Sequence, residues 1–321
     1  MKLAIIGTGK IVEDALPALK EVEGIHLQTI ISTPRSIEKY KALAKSYGIA
    51  EVSDQFESAI KSSAVDTVYV ATPNHLHYAM AKQALLAGKH VICEKPFTMT
   101  LAELDDLIQI AKANKVILLE AITNQYLGNF HFMKEHLQQL GDIKIVECNY
   151  SQYSSRYDAF KQGEIAPAFD PEKGGGALRD LNIYNIHIIV GLFSFPKSVN
   201  YLPNIERQID TSGILVLDYQ NFKVIAIAAK DCSAEIRSTI QGNKGSMVIL
   251  GATNTVPQLA LSLNGHDTKW VNANQHEHRM VAEFEAFEAI IAKKDYALAE
   301  SSLKHSYQVM TVLEKALESL L

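Results

Sequence analysis

Through roughly residue 120, short apolar runs alternate with amphipathic stretches of helical length. "KLAIIG", "HLQTIIS", "DTVYVAT", "HVICE" and "VILLEA" read as strands, and helical patterns fill the intervals: Ile11 to Val22, "SIEKYKALAKSYG", "HYAMAKQALLAG" and "TLAELDDLIQIAKAN". This is the rhythm of βαβ units. The strands are apolar at consecutive positions rather than alternate ones. That predicts burial on both faces, and hence a parallel sheet covered by helices.

From about Asp142 the pattern changes. "IKIVECNYSQYSS", "TSGILVLDYQ", "FKVIAIAAK", "EIRSTIQG", "GSMVILG" and "PQLALSLNG" read as successive strands, several of them alternating in and out, with turn residues such as Gln220-Asn221 and Asn243-Lys244-Gly245 between them. Alternation of this kind predicts an antiparallel sheet with one exposed face. Two helical segments, Glu277 to Lys293 and Ser302 to Leu320, follow. The expected fold class is α/β, with one domain over residues 1–120 and a second over 121–321. An uncovered sheet face of this size would be an exposed apolar patch, which predicts a homo-oligomer, a homodimer or homotetramer.

Composition narrows the picture without redirecting it. The chain has 321 residues, 47% hydrophobic and 21% charged, which are ordinary globular values for about two domains. A net charge of −5, with no basic tract or aromatic-basic repeat, argues against nucleic acid as a partner. No apolar run approaches the roughly 20 residues that span a bilayer, and "MKLAIIGTGK" reaches glycine too soon for a signal peptide, so no membrane association and a cytoplasmic location are expected. Cys93, Cys148 and Cys232 are odd in number, widely spaced and outside any CxxC pair, which predicts buried thiols rather than disulfides or a zinc site. His276 and His278 flank Glu277 without a motif to complete a ligand set, so no metal is expected.

The candidate chemistry begins in "LAIIGTGKIVEDAL". Gly7 and Gly9 stand directly after the first strand and before the first helix, where a tight turn lets backbone approach a pyrophosphate and the helix amino terminus binds it. Gly7, Thr8, Gly9, Lys10 and Ile11 are the expected phosphate-side contacts. Val12 replaces the third glycine of GxGxxG, the position that governs helix-strand packing rather than phosphate contact. At the end of the second strand an NAD site would usually carry a carboxylate for the ribose hydroxyl. "IISTPRS" has none; Ser32, Thr33 and Arg35 suit a 2′-phosphate instead, which favours NADP over NAD.

In "ALRDLNIYNIHIIVGLF", helical spacing of about 100° per residue puts Asp180, Tyr184 and His187 on one stripe, at about 0°, 40° and −20°. The surrounding positions are apolar, so the helix is expected to be buried, with the three titratable groups bonding each other or facing a cavity. Gly174 to Gly176 just before it suggest backbone kept clear near a ligand.

"VYVATPNHLHYAMAKQALLAGKHVICEKP" closely resembles the Gfo/Idh/MocA oxidoreductases, and "GGGALRDLNIYNIH" resembles their second motif. The resemblance runs in order from Gly7 to the last helix. It implies a Rossmann domain followed by an α/β domain with a large, mostly antiparallel sheet. It also implies that Lys95 of the EKP element lies beside the nicotinamide and hydrogen-bonds the substrate hydroxyl that becomes a carbonyl. By the same carry-over Ala71, Thr72, Pro73, Asn74 and His77 line the nicotinamide end of the cofactor, while Glu94 holds the lysine or the ribose, or is a plain strand-end carboxylate. Asp180, Tyr184 and His187 fall on the substrate side. Tyr184 replaces the histidine of the commonest family pattern and His187 the second aspartate; the tyrosine version resembles glucose-fructose oxidoreductase and the dihydrodiol dehydrogenases, where that tyrosine is the acid/base. Gln125 stands where arginine is common. The implied activity is NAD(P)-dependent hydride transfer to or from a secondary alcohol or carbonyl of a sugar, cyclitol or diol, with Lys95, Tyr184 and Asp180 as the catalytic set. Two rival readings are a non-catalytic NADP-binding sensor and a cofactor-assisted glycosidase or lyase.

Overall fold

The computed structural model describes residues 1–7 and 9–320; Thr8 and Leu321 lie outside the described residues. The apolar runs of the first half form β1 (Lys2–Ile6), β2 (His26–Ile31), β3 (Glu51–Ser53), β4 (Thr67–Val70), β5 (His90–Glu94) and β6 (Leu118–Ala121). Between them run α1 (Lys10–Glu21), α2 (Ile37–Tyr47), α3 (Phe56–Lys61), α4 (His77–Leu86) and α5 (Leu101–Asn114). All five strand pairings are parallel, in the order β3-β2-β1-β4-β5-β6. This is the doubly wound Rossmann order, whose switch point lies between β1 and β4. Consecutive burial of Leu3, Ala4 and Ile5, and of Val91, Ile92 and Cys93, accounts for the continuous apolar runs. Helix α5 starts on a capping box: Glu103 N–H donates to Thr100 Oγ1 at 3.2 Å and Thr100 N–H to Glu103 Oε2 at 3.3 Å.

The second half carries α6 (Gly128–His136), β7 (Ile143–Ser151), α7 (Tyr157–Lys161), a π-turn at Leu178–Asn182, and α8 (Ile183–Phe193). Then follow β8 (Ser198–Glu206), β9 (Ile209–Asp218), β10 (Lys223–Ala229), β11 (Arg237–Gly242), β12 (Gly245–Leu250), β13 (Leu259–Leu263) and β14 (Lys269–Val271). With β7 these make an eight-stranded sheet, β14-β13-β12-β11-β7-β10-β9-β8, antiparallel except where β7 and β10 run parallel. One face is covered and bears Leu215, Leu217, Val224 and Ala226, all fully buried. On the other, a single register row, Asn200, Val216, Ile225, Glu147, Thr239, Val248, Ala260 and Trp270, crosses all eight strands. Ile225 is 39% and Trp270 62% exposed.

The chain ends in α9 (Val281–Lys293) and α10 (Tyr296–Glu318). The compact units are Met1–Ala121 with His278–Ser306, and Ile122–Glu277 with Tyr307–Leu321. A linear division at residue 120 misses the return of α9 to the parallel sheet, where Phe284 meets the Tyr69 ring edge-on at 5.4 Å. Strand β8 also escaped the sequence pattern. Asn200, Pro203 and Asn204 interrupt it, and as an edge strand it tolerates a proline that a central strand would not. Cys93 and Cys148 are buried, but Cys232 is exposed, against expectation, because it follows the strand end rather than sitting in it. Among the described residues no helix is long and apolar enough to cross a membrane, and no group of three or more His, Cys, Asp or Glu is placed to hold a metal.

Candidate active site

The parallel sheet order sets the carboxyl ends of β2, β1, β4 and β5 side by side, and the expected cofactor residues stand on the turns that leave them. Gly7 has φ of +143°, and a Cβ there would collide with the Ala71 carbonyl. Its N–H donates to Ile31 O at 3.2 Å. A larger residue than glycine at position 7 would therefore meet the Ala71 carbonyl, just after β4, and Val12. Gly9 differs: its φ of −85° suits any residue, yet a Cβ there would meet nothing within 4 Å. It precedes α1 with no side-chain cap, so the open space lies over uncapped helix N–H groups. That cradle and its dipole fit a pyrophosphate. Lys10 pairs with Asp14 on its own helix at 3.1 Å, and Ile11 is half-buried. Thr8 is outside the described residues.

At the end of β2, Ser32 is buried and its N–H donates to Ser53 O at 2.9 Å. Thr33 is exposed, its Oγ1 donating to Ser36 Oγ at 3.4 Å. Arg35 is exposed and makes no ion pair among the described residues, so its guanidinium is available. No carboxylate stands between Ile31 and Ile37.

After β4, Ala71 is buried with its N–H on Ile6 O at 2.8 Å, Thr72 and Asn74 are half-buried, and Pro73 is exposed. His77 is fully buried: Nδ1 lies 2.9 Å from Pro96 O and Nε2 2.9 Å from Thr72 O. Burial lowers its pKa, against the pull of the two carbonyls. The ring thus ties the turn after β4 to the turn after β5.

Lys95 follows β5 directly, half-buried, and its peptide bond to Pro96 is cis. Glu94 points the other way, into the core, where it accepts a hydrogen bond from Tyr69 Oη. Burial pushes its carboxyl up, while Tyr69, Lys95 and Arg279 pull it down. The same burial and the Glu94 charge push the Tyr69 phenol well up. The hydrogen bond from Tyr69 makes Glu94 an internal carboxylate, a role the sequence did not suggest. Tyr69 went unnoticed in the sequence, where it reads as one more apolar strand position.

In the second unit the triple glycine has its own cause. A Cβ on Gly175 would lie 2.8 Å from both Ala168 C and Asp170 N, and one on Gly176, at φ of +105°, would collide with Asp210. The Ala168 to Asp170 backbone and the Asp210 side chain occupy the space that a Cβ at these positions would need. Asp210 Oδ2 accepts from Leu178 N–H and from Tyr201 Oη, both at 2.7 Å, fixing the start of the π-turn that carries Asp180.

Asp180 keeps 36% of its side chain exposed and accepts from Lys230 Nζ at 2.7 Å. Tyr184 is 9% exposed, its ring 6.1 Å from that of Tyr150. His187 is fully buried, further inside than a substrate contact was expected to be, and Gln125 Nε2 donates to its carbonyl at 3.0 Å. The same amide donates to Asn124 Oδ1, so Gln125 packs α8 in place. Asn182 Nδ2 reaches Ala226 O at 3.1 Å and Asn185 Nδ2 reaches Ile227 O at 3.0 Å. Two asparagines three apart in a buried helix were the available signal for this anchor, and Lys230 had no such signal.

Comparison with known proteins gives the arrangement a context. Residues 1–122 match the Gfo/Idh/MocA oxidoreductase family, NAD-binding Rossmann fold, and 131–248 match the Gfo/Idh/MocA C-terminal domain. The NADP(+)-dependent scyllo-inositol 2-dehydrogenase IolU of Bacillus subtilis is 31% identical over 98% of this chain and 96% of its own. A trans-1,2-dihydrobenzene-1,2-diol dehydrogenase of Xenopus tropicalis is 27% identical over 84% of this chain and 80% of its own. Among solved structures, a 3-ketoreductase from Actinomadura kijaniata in complex with NADP and TDP-benzene superimposes with a TM-score of 0.84 at 22% identity, covering 98% of this chain and 97% of that one.

Proposed function

Since the chain belongs to the Gfo/Idh/MocA family of NAD(P)-dependent oxidoreductases, we propose that it is an NADP-preferring dehydrogenase or reductase acting on a secondary alcohol or ketone of a cyclitol, sugar or related diol. The observation that carries this reading is the substrate-side pair: a partly exposed Asp180 carboxylate in the π-turn, one turn before Tyr184 in the buried stretch 183–190. Such a pair suits neighbouring hydroxyls, one oriented by the carboxylate and one exchanging its proton with the phenol. The B. subtilis relative, which acts on an inositol with NADP(+), supports the same class.

The open cradle at Gly9 would receive the cofactor pyrophosphate, and Arg35 with Thr33 and Ser32 the 2′-phosphate. Bound there, the nicotinamide supplies hydride exchange at C4. Ala71, Thr72, Pro73 and Asn74 would line its nicotinamide end. Lys95 hydrogen-bonds the reacting oxygen. Lys95 or Tyr184 takes the hydroxyl proton as the carbonyl forms and returns it in the reverse direction, and Asp180 orients the substrate. Lys95 belongs to the first unit and the other two to the second, so their joint action is a statement about chemistry, tested below by kinetics.

Fluorescence titration with NADPH and NADH, followed by an absorbance screen of inositols, aldoses and vicinal diols with NADP+, tests the proposal. Tighter binding of NADPH, reversed by Arg35→Asp, and turnover of a polyol are expected. Preference for NADH in the parent protein overturns the cofactor assignment. Tight NADPH binding without turnover of any alcohol or ketone favours a sensor.

A further inference from the structure

Lys230 lies fifty positions beyond Asp180, just past the end of β10, where the sequence offers only a charged strand terminus. Its backbone is held on both sides: its N–H donates to Thr211 O and its carbonyl accepts from Ser154 N–H, each at 2.8 Å. The side chain is 3% exposed. Its ammonium donates to Asp180 Oδ2 at 2.7 Å and to Ala168 O at 2.5 Å, and lies 4.3 Å from the centroid of the Phe169 ring. An ammonium taken out of water costs several kcal/mol unless its partners are well placed. Here a carboxylate, a carbonyl and an aromatic face surround it.

The exposures of the two partners are unequal. Lys230 is enclosed, whereas Asp180 keeps 36% of its side chain open. A pair needed only for packing would be as well served by two apolar side chains. An enclosed cation beneath an accessible carboxylate instead holds that carboxylate in one orientation while leaving it reachable. The backbone under Asp180 is fixed as well, since Asp210 grips the N–H of Leu178 at the start of the π-turn. Such turns inside helices are frequent at functional sites. The glycines at 175 and 176 let the Ala168 to Asp170 strap and Asp210 close around this turn, and Lys230 joins the strap to the carboxylate.

We propose that Lys230 is a positioning residue for the substrate: it anchors Asp180 from beneath and sets the direction in which its carboxylate meets the substrate hydroxyls. The inference rests on the reading of Asp180 as a substrate contact. It predicts specificity in kinetic parameters. Misplacing an orienting group by about 1 Å costs on the order of 10²-fold, and removing an outer partner of a functional ligand about 10- to 100-fold.

The test uses the alcohol best turned over in the screen above, with NADP+, on Lys230→Met, Lys230→Arg, Asp180→Asn and Lys230→Met/Asp180→Asn. Lys230→Met keeps the apolar stem and removes the charge. It should lower kcat/KM for the alcohol about 10- to 100-fold while leaving the NADPH dissociation constant within about twofold. Lys230→Arg should recover part of that loss. In the Asp180→Asn background the methionine should cost less than about threefold, because the group it positions is already changed. Equal losses with and without the Asp180 carboxylate would overturn the proposal, as would an undiminished kcat/KM in Lys230→Met. Should Lys230→Met melt early, Lys230→Gln decides: a loss confined to the alcohol at parental thermal stability supports positioning, and parental kinetics refutes it. A fully active Asp180→Asn variant would instead remove the substrate-side reading itself, which is a separate result.

Discussion

Tyr69→Phe should destabilise the first unit in a pH-dependent manner, although it removes one oxygen atom. The phenol donates to Glu94 in a fully buried setting, and the ring packs edge-on against Phe284. Phenylalanine keeps the ring contact and leaves a buried carboxylate short of a donor. A hydrogen bond to a charged group contributes about 1.5–3 kcal/mol, and for a unit of this size each kcal/mol moves Tm by roughly 2–4 °C. The expected fall is therefore about 3–12 °C near pH 8.

The pH dependence has a definite sign. Burial already holds the Glu94 pKa above its ordinary value in the folded protein, and Tyr69 is one of the groups pulling it down. Without the phenol it rises further. A carboxyl whose folded pKa exceeds its unfolded pKa binds protons preferentially in the folded state, so its destabilising effect is full above the folded pKa and fades as pH falls through it. The Tyr69→Phe deficit should then shrink as pH falls from 8 toward the ordinary carboxyl range, as the variant's Glu94 takes its proton first. Adding Glu94→Gln removes the buried charge, so the double variant should lose less than the sum of the two single losses. Thermal melts of the parent, both singles and the double at pH 5, 6.5 and 8 measure all of this. A deficit independent of pH, or full additivity, would refute the account of Glu94 as an internal carboxylate held by Tyr69.

The remaining predictions concern the cofactor, the assembly and the chemistry. Gly9→Val fills the open cradle without meeting any atom within 4 Å at its Cβ, so NADPH affinity should fall at least tenfold with the cofactor-free Tm unchanged, read by fluorescence titration and calorimetry; parental affinity would contradict the pyrophosphate site. The parent should scatter light as a homodimer or homotetramer at micromolar concentration through the row containing Ile225 and Trp270, and Ile225→Lys should shift it to monomer; a monomeric parent sinks the interface. Lys95→Ala and Tyr184→Phe should each lower kcat about 10²- to 10⁴-fold at constant cofactor affinity, with strongly non-additive effects in the double variant because both serve one proton path. Full activity in Lys95→Ala would leave the EKP lysine a charged strand end.

What the sequence disclosed and what it withheld divide along a physical line. Local and periodic features were legible: the continuous apolar runs of β1, β4 and β5 required burial on both faces, and the alternation in β9, β10 and β12 required one open face. Positions at the turns leaving β1, β2, β4 and β5 were legible too, because a parallel sheet places its functional turns at strand ends whatever the loops contain. Reasons that depend on a distant partner were not. At Gly7 and Gly176 the atoms a Cβ would meet belong to Ala71 and Asp210, far along the chain. Glu94 reads locally as a strand-end carboxylate, and its hydrogen-bond donor Tyr69 stands 25 residues away. His77 has both its nitrogens against the carbonyls of Pro96 and Thr72, and Pro96 lies 19 positions on. Lys230 had no local mark at all. The partners of Gly7, Gly176, Glu94 and Lys230 all stand at long sequence separation. A motif therefore tells which backbone must come close or which side chain must be charged, and the second partner, supplied by the fold, determines whether that closeness serves a ligand or the protein itself. Among the described residues a Cβ at Gly9 would meet open space and Arg35 is exposed without an ion pair, so both stay compatible with the ligand-directed proposal.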